Sequence, residues 1–575
     1  MAIKQQTYSR LVFNICILIL ANILASMLFF RLDLTSDKRH SLSDASKEIL
    51  KELDDIVYVK VYLEGDFPAG FTRLKNATQE LLNEFRSYSS YVEYEFIDPS
   101  ESPNQDERNS IYRQLIEQGL KHHIEPVEEK NLRSEQIIFP GAIIYYKGKA
   151  TVVNFLQKQT EKINEVLLNN SIENLEYEFS SNILKLSNNN KPKIAFLEGN
   201  GELNKLERSG IEDAVGKTKG SLSEFYQVES FNIKEFETDS LQINPSVERQ
   251  QEKLNSFSAI IIAKPTIPFN DLEKLFLDQY IMQGGKILWF LDGVNMDMDS
   301  LQGNKPFTTA LPKYLAIEDM LFKYGVRINA NLVMEWQADK ISVVTGSNGD
   351  IPKQSLFHWP YNPLISTKET HVINKNLDNI RSSFVSTIDT IKSSIVKKSI
   401  VLTTSPNSKV VKTPHRVSLN ILRNKPLLNQ YNAGPQNIGV LLEGTFKSFF
   451  ENRLISNNQP ILTKSKPTCM LIVSDGDIIK NHVTKSGIPY PLGYNHKSNE
   501  YFQGNNSFII NALHYMLGKK ELIEIRANNF KIRLLNREKI YNNRLHWQTI
   551  NIGLPIVLLL FIGLVYSWRR KRKYA

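Results

Sequence analysis

Carboxylates crowd around glycines at two places in this 575-residue chain: Glu198-Gly-Asn200-Gly-Glu202 and Asp475-Gly-Asp477. Each follows an apolar run, at 193–197 and 470–474, that reads as a strand. Glycine lets backbone approach a ligand closely, and side-chain oxygens at such a turn suit a cation or a polar ligand. Glu198, Asn200, Glu202, Asp475 and Asp477 are therefore the candidate ligand-site residues. The plainer reading is structural: Gly199, Gly201 and Gly476 make tight strand-to-helix turns, and the carboxylates cap the N-termini that follow. The spacing favours that plainer reading.

Other motifs fail on geometry. Residues 210–218 approach a phosphate-binding loop, but five residues separate its glycines where four are needed, and no strand feeds it directly. Asn295-Met-Asp297-Met-Asp299 opens like a calcium loop, yet Ser300 stands at the glycine position and Pro306 at the twelfth. The ten histidines show no His-x-His or His-Glu-x-x-His spacing, and the adjacent rings of His122 and His123 point apart. No Gly-x-Ser-x-Gly elbow occurs. The reading is therefore of no catalytic residue, no metal and no cofactor.

The acidic loops need a scaffold, and the surrounding sequence supplies one. Apolar strands recur at 259–263, 286–290, 400–403, 440–442 and 470–474, with helical stretches such as 270–283 between them. Alternation of this kind predicts a parallel sheet covered on both faces, in an α/β domain over 191–520. Ligands on such sheets meet the C-terminal ends of the strands, where both acidic loops fall and where they could join. Upstream, residues 36–185 read β-α-β-α-β-β-α, from a helix capped near Ser43 to a Lys147-Gly148 hairpin. That order is a thioredoxin-like layout. It holds no cysteine, which excludes redox work and leaves a scaffold. The sharpest break between the two domains is the Asn-rich stretch 187–192, with softer ones at 297–306, 345–355 and 404–416.

Two apolar runs bracket these domains. Residues 11–30 carry no charge and, as helix, are about 30 Å long, the thickness of a hydrocarbon core. Residues 550–568 form the second run, with Trp547, Tyr566 and Trp568 suited to the two membrane interfaces and the basic tail 569–575 behind it. Positive residues beside a span stay cytoplasmic, so both termini, including residues 1–10, are expected inside and 31–549 outside. Residues 521–549 read as a juxtamembrane stalk with basic and apolar residues interleaved. The net charge of +9 is mostly topological: two cations precede the first run and five follow the second, which leaves +2 between them. A nucleic-acid reading does not survive that subtraction. Cys16 lies in the first run, so Cys469 has no partner in its compartment and a disulfide framework is excluded. The fold class read from sequence is thus α/β: two transmembrane helices flanking an extracytoplasmic region, with a thioredoxin-like domain and a larger parallel-sheet domain.

Six stretches, in order along nearly the whole chain, carry a likeness to a known family: 39–44 (RHSLSD), 62–71 (YLEGDFPAGF), 279–293 (QYIMQGGKILWFLDG), 442–450 (LEGTFKSFF), 474–477 (SDGD) and 504–508 (GNNSF). As a set, with both anchors in place, they resemble GldG, the gliding-motility-associated auxiliary proteins of an ABC transporter in gliding Bacteroidetes. The loop 198–202 departs from the family's Gly-His-Gly-Glu form, which speaks against a catalytic histidine there. The resemblance implies a non-enzymatic subunit of the inner membrane, its large domain in the periplasm. It implies a multi-span ABC permease and a cytoplasmic ATPase as partners, serving gliding or secretion. Two spans cannot enclose a transport path, and the chain has no phosphate loop of its own, which agrees. The alternatives are a tethered solute-binding component and, further off, a cell-envelope hydrolase.

Overall fold

A computed structural model describes residues 13, 14, 17, 41–129, 132–156, 165–187, 191–212, 221–235, 247–301, 307–348, 351–366, 371–375, 377–392, 395–423, 426–453, 461–519, 523 and 544–574. The chain forms two units, 1–529 and 530–575.

The first unit opens with α1 (Asp44–Lys51), capped by the Ser43 side chain, which accepts from the Ser46 N–H. Then come β1 (Val57–Val61), α2 (Ala69–Tyr88), β2 (Val92–Phe96), α3 (Gln105–Glu117), β3 (His123–Glu129), β4 (Leu132–Ile138), β5 (Gly141–Tyr146), β6 (Lys149–Asn154) and α4 (Glu165–Ser187). Their sheet runs β2-β1-β5-β6, with β1 parallel to β2 and antiparallel to β5. Alternate residues Val57, Val59 and Val61 bury against Phe85 of α2 and Phe179 of α4. On the other face Ile143 packs with Leu115 of α3 and with Phe139. The β3–β4 hairpin pairs outside this sheet and was not among the expected elements. Pro126 and five acidic or basic residues in its strands mask any apolar alternation.

The second series begins with β7 (Lys193–Glu198), α5 (Lys205–Glu212), α6 (Leu222–Phe225), β8 (Gln227–Asn232), α7 (Val247–Asn255), β9 (Ala259–Ala263), α8 (Asp271–Met282) and β10 (Ile287–Phe290). A capping box starts α8: the Asn270 side chain accepts from the Glu273 N–H, and the Glu273 carboxylate accepts from the Asn270 N–H. The chain then leaves the sheet through β11 (Val294–Asn295), β12 (Thr308–Pro312), α9 (Glu318–Tyr324), β13 (Val326–Ile328), β14 (Asn331–Glu335), β15 (Ala338–Asn348), β16 (Ile351–Ile365), β17 (Ile380–Arg381) and β18 (Ile388–Thr390). It touches the sheet with β19 (Val396–Thr403), goes out through β20 (Ser408–Lys412) and β21 (His415–Val417), and returns with β22 (Asn437–Gly444), β23 (Thr468–Val473) and α10 (Gly504–Met516).

Seven of these strands form the main sheet, in the order β19-β22-β23-β10-β9-β7-β8. Strands β8, β7, β9, β10 and β23 run parallel. Against the expectation of a parallel sheet, β22 and β19 are each antiparallel to their inner neighbour. β22 is buried along most of its length, and such a strand is an apolar run whichever way it points, so its direction left no mark in the residues. Ile194 and Phe196 of β7 pack on one face with α5, α6 and α10. Ala195 and Leu197 pack on the other with α7, α8 and α9. The excursion from β11 to β21 builds small antiparallel pairs around its own core of Leu332, Met334, Trp359, Tyr361 and Val417. Of the expected break at 345–355, residues 345–348 belong to β15 and 351–355 to β16, which pair antiparallel.

In the second unit, α11 (Arg544–Tyr574) contains Trp547–Arg572, long and apolar enough to cross a membrane. Of the expected first anchor, 11–30, only 13, 14 and 17 are among the described residues; the rest lies outside them. Most of the stalk, 521–549, also falls outside, as do residues 213–218 of the near phosphate loop. Gly210 of that stretch sits inside α5, its N–H donating to Asn481 Oδ1 at 2.8 Å. The described residues thus hold one membrane-length helix, not two.

Candidate functional site

The strand order reverses at β7, which pairs with β8 on one side and β9 on the other. In an open α/β sheet this switch point, at the C-terminal ends, is where a crevice forms. Here the chain closes it. The Leu203 N–H donates to Ala263 O at 3.0 Å, and the N–H groups of Thr266 and Ile267 both donate to Asn200 O at 2.8 Å. Gly201 makes this approach possible: its φ is +70° and a Cβ there would lie 2.0 Å from Thr266 Oγ1.

Two of the candidate residues meet inside that plug. Asn200 is fully buried; its amide donates to Glu273 Oε2 at 2.9 Å and to Pro268 O at 3.2 Å. Glu202 Oε2 accepts from the Asn200 N–H at 2.7 Å, while Asn200 Oδ1 and Glu202 Oε1 are buried acceptors without a donor among the described residues. Burial, aided by the charges of Glu198 and Glu273, pushes the Glu202 carboxyl up to about 7. The helix-capping role expected of Glu202 falls to Asn204, whose side chain accepts from the Leu206 and Glu207 N–H groups at 2.9 and 3.1 Å. Glu198 turns elsewhere: it and Glu212 clamp the buried guanidinium of Arg208 at 2.7 and 2.9 Å.

Asp475 and Asp477 do not join this group, because β10 and β9 lie between β23 and β7. Three strand spacings, roughly 14 Å, separate the two loops. They gather instead with Asp292, which follows β10 at the matching register; ligand-capable oxygens of the three carboxylates lie within 4.8 Å of one another. Lys264, at the end of β9, reaches into the group, ion-pairing with Asp477 and lying 3.7 Å from Asp292. Lys313 stands 3.1 Å from Asp292. Backbone donors complete the cluster: Gly476 N–H to Asp292, Ser383 N–H to Asp475 Oδ2 and Asp477 N–H to Asp475 Oδ1, at 2.7–2.8 Å. Burial and the facing carboxylates of Asp477 and Asp292 raise the Asp475 acid well above its usual range. Burial works to lower Lys264, but the surrounding aspartates outweigh it and hold the ammonium raised. Burial also raises Asp292, yet Lys264 and Lys313 together hold it below the ordinary value. Burial raises Asp477 as well, against the pull of Lys264, so three aspartates share the two ammonium groups of Lys264 and Lys313. Lys264 fills the place a cation would take.

Backbone strain marks this cluster. Lys264 has φ +54° and Phe384, next to Ser383, has φ +51°. A left-handed residue at the end of a central strand is where α/β hydrolases mount a nucleophile. Here the position carries a protonated lysine. Sequence reasoning missed Lys264, Asp292, Lys313 and Arg208. A signal existed for Asp292: 290–293 and 473–476 both read as a strand end followed by Asp-Gly.

Residues 191–512 match the family model described as an ABC-type uncharacterized transport system, more than half of the chain. The chain belongs to that family of ABC-transporter auxiliary proteins. Residues 36–145 match a domain of unknown function, DUF7088. An uncharacterized protein of Borreliella burgdorferi is 23% identical over 586 residues, covering 99% of each chain. The mmIFT52 N-terminal domain, a solved structure, aligns with 56% of this chain and 97% of its own at 14% identity and a TM-score of 0.30. Family membership gives the chain an accessory role in an ABC transport system.

Proposed function

We propose that this protein is a non-enzymatic accessory subunit that docks beside the permease of an ABC transporter, with the ATPase on the cytoplasmic side. In this reading it is of the GldG type and serves gliding motility or secretion. It sits in the inner membrane with both termini cytoplasmic and the domains 36–185 and 191–520 in the periplasm. The observation that carries the reading is the closed C-terminal edge of the main sheet: at the strained position after β9, Lys264 is clamped by Asp477 and Asp292. A protonated, ion-paired amine is no nucleophile, and loop backbone fills the switch-point crevice. Purification in mild detergent should bring down a multi-span permease and an ATPase with a phosphate loop. Recovery of intact protein without either would remove the accessory reading.

A further inference from the structure

The helix α11 carries a group of charges that the accessory role does not use. Its apolar run, 550–568, makes about 28 Å of helix, close to the thickness of a hydrocarbon core. The helix does not stop there. It continues to Tyr574, so Arg569, Arg570, Lys571 and Arg572 sit on regular helix just past the apolar run, at the depth where phospholipid headgroups begin. Trp568, 55% exposed, marks that level, as tryptophan does at membrane interfaces. The Arg572 guanidinium lies 4.3 Å from the centre of its ring.

Helical geometry decides what these cations can meet. Successive residues turn by about 100°, so 569–572 stand at about 0°, 100°, 200° and 300° around the axis. The four exposed cations therefore form a closed collar, not a stripe. From Arg544 to Tyr574 the sequence has no Asp or Glu, so the helix brings no counter-charge of its own. Arg569 and Arg572, three apart, repel each other and weaken the last turns unless anions stand close by. The opposite end, 544–549, has one arginine and one histidine, so the collar belongs to one membrane face. A protein partner packs on one side of a helix and would be met by a stripe. Lipid headgroups surround a membrane helix on every side at one depth, and a collar fits them. Arginine narrows the class further, because its planar fork takes two oxygens of one phosphate. A zwitterionic headgroup sets its own ammonium against that phosphate; an anionic one leaves the charge unopposed.

We infer that the collar of Arg569, Arg570, Lys571 and Arg572 binds the headgroups of anionic phospholipids and gathers them around α11. The inference rests on the reading of α11 as a membrane anchor and is independent of permease and ATPase. The full chain is reconstituted in phosphatidylcholine vesicles, with spin-labelled phosphatidylglycerol or spin-labelled phosphatidylcholine as the probe. Phosphatidylglycerol should be immobilised at the protein with a relative association constant larger by on the order of threefold. That excess should vanish at about 1 M salt, where charges are screened beyond about 3 Å. Two variants divide the collar into halves of equal mean depth: Arg569→Gln/Arg572→Gln and Arg570→Gln/Lys571→Gln. Each should lose about half of the excess, and both should lose alike. Equal association of the two lipids with the native chain, an excess that survives high salt, or one untouched by both variants would overturn the inference. A loss confined to one variant would reveal a stripe made for a protein partner and would overturn it too. If a variant fails to insert, the native chain compared across two lipids and two salt concentrations still decides. Alkaline carbonate extraction keeps the anchor reading separate. A chain washed off the vesicles would sink that reading and the inference together, whereas a retained chain without lipid preference would sink the inference alone.

Discussion

At Glu202 the folded protein holds a proton that the unfolded chain releases. Its carboxyl is pushed up to about 7, from an ordinary 4.5, by burial beside other acids. Folding therefore binds a proton between those values, and the stability present below pH ~4.5 is lost as the pH rises to about 7. Glu202→Gln keeps the shape without the ionisation. It should gain on the native protein with rising pH, by up to about 3 kcal/mol at ~1.4 kcal/mol per pKa unit. Urea melts at pH 5 and pH 8 check this; an equal gap at both would sink it. The aspartate cluster makes a second contrast. Asp475→Asn keeps one accepting oxygen but sets an amide NH2 against the other backbone N–H, and should cost about 1–3 kcal/mol. Lys264→Met removes the buried counter-charge of Asp477 and Asp292 and should cost about 3–5 kcal/mol. Equal effects of the two substitutions would mean the counter-charge is misassigned.

At the scale of elements, the plug at the switch point depends on one turn. Gly148 and Gly201 share a left-handed backbone, φ +74° and +70°, but an added Cβ meets open space at the first and Thr266 Oγ1 at the second. Gly148→Ala should cost only the backbone term, about 1–2 kcal/mol. Gly201→Ala should cost clearly more, since Thr266 and the loop must move. Thermal melts of the two variants separate the terms, and equal losses would show that the plug yields freely. Much of this layer was legible in the residues. The runs at 259–263 and 470–474 are β9 and β23 to within two residues, and the stretch 270–283 is α8 with its caps, because apolar β-branched runs and an Asn-x-x-Glu box have single physical meanings. The site was less legible. Both acidic loops were found, yet their partners Lys264 and Lys313 were not, because nothing local tells a lysine that it will face a carboxylate 213 positions away. The loops' separation depends on strand order, which no short stretch encodes.

For the whole molecule, the membrane-length helix within Arg544–Tyr574 ends in Arg569, Arg570, Lys571, Arg572 and Lys573. If these cations hold the C-terminus inside, protease added to spheroplasts should digest the region before the helix and spare a C-terminal tag. Loss of the tag would invert the topology. The excursion between β10 and β23 has a different consequence, one of timing. Ile287 pairs with Met470, so the Ile-Leu-Trp-Phe strand is made about 180 residues before its neighbour. At about 5–20 residues per second, synthesis leaves that wholly apolar edge bare for roughly 10–35 s. An unpaired strand of this kind invites pairing with another chain. Nascent chains stalled after residue 453 should therefore be protease-sensitive and bound by holdase chaperones, and those stalled beyond α10 resistant. The half-made protein, rather than the finished one, is where this architecture is exposed to aggregation.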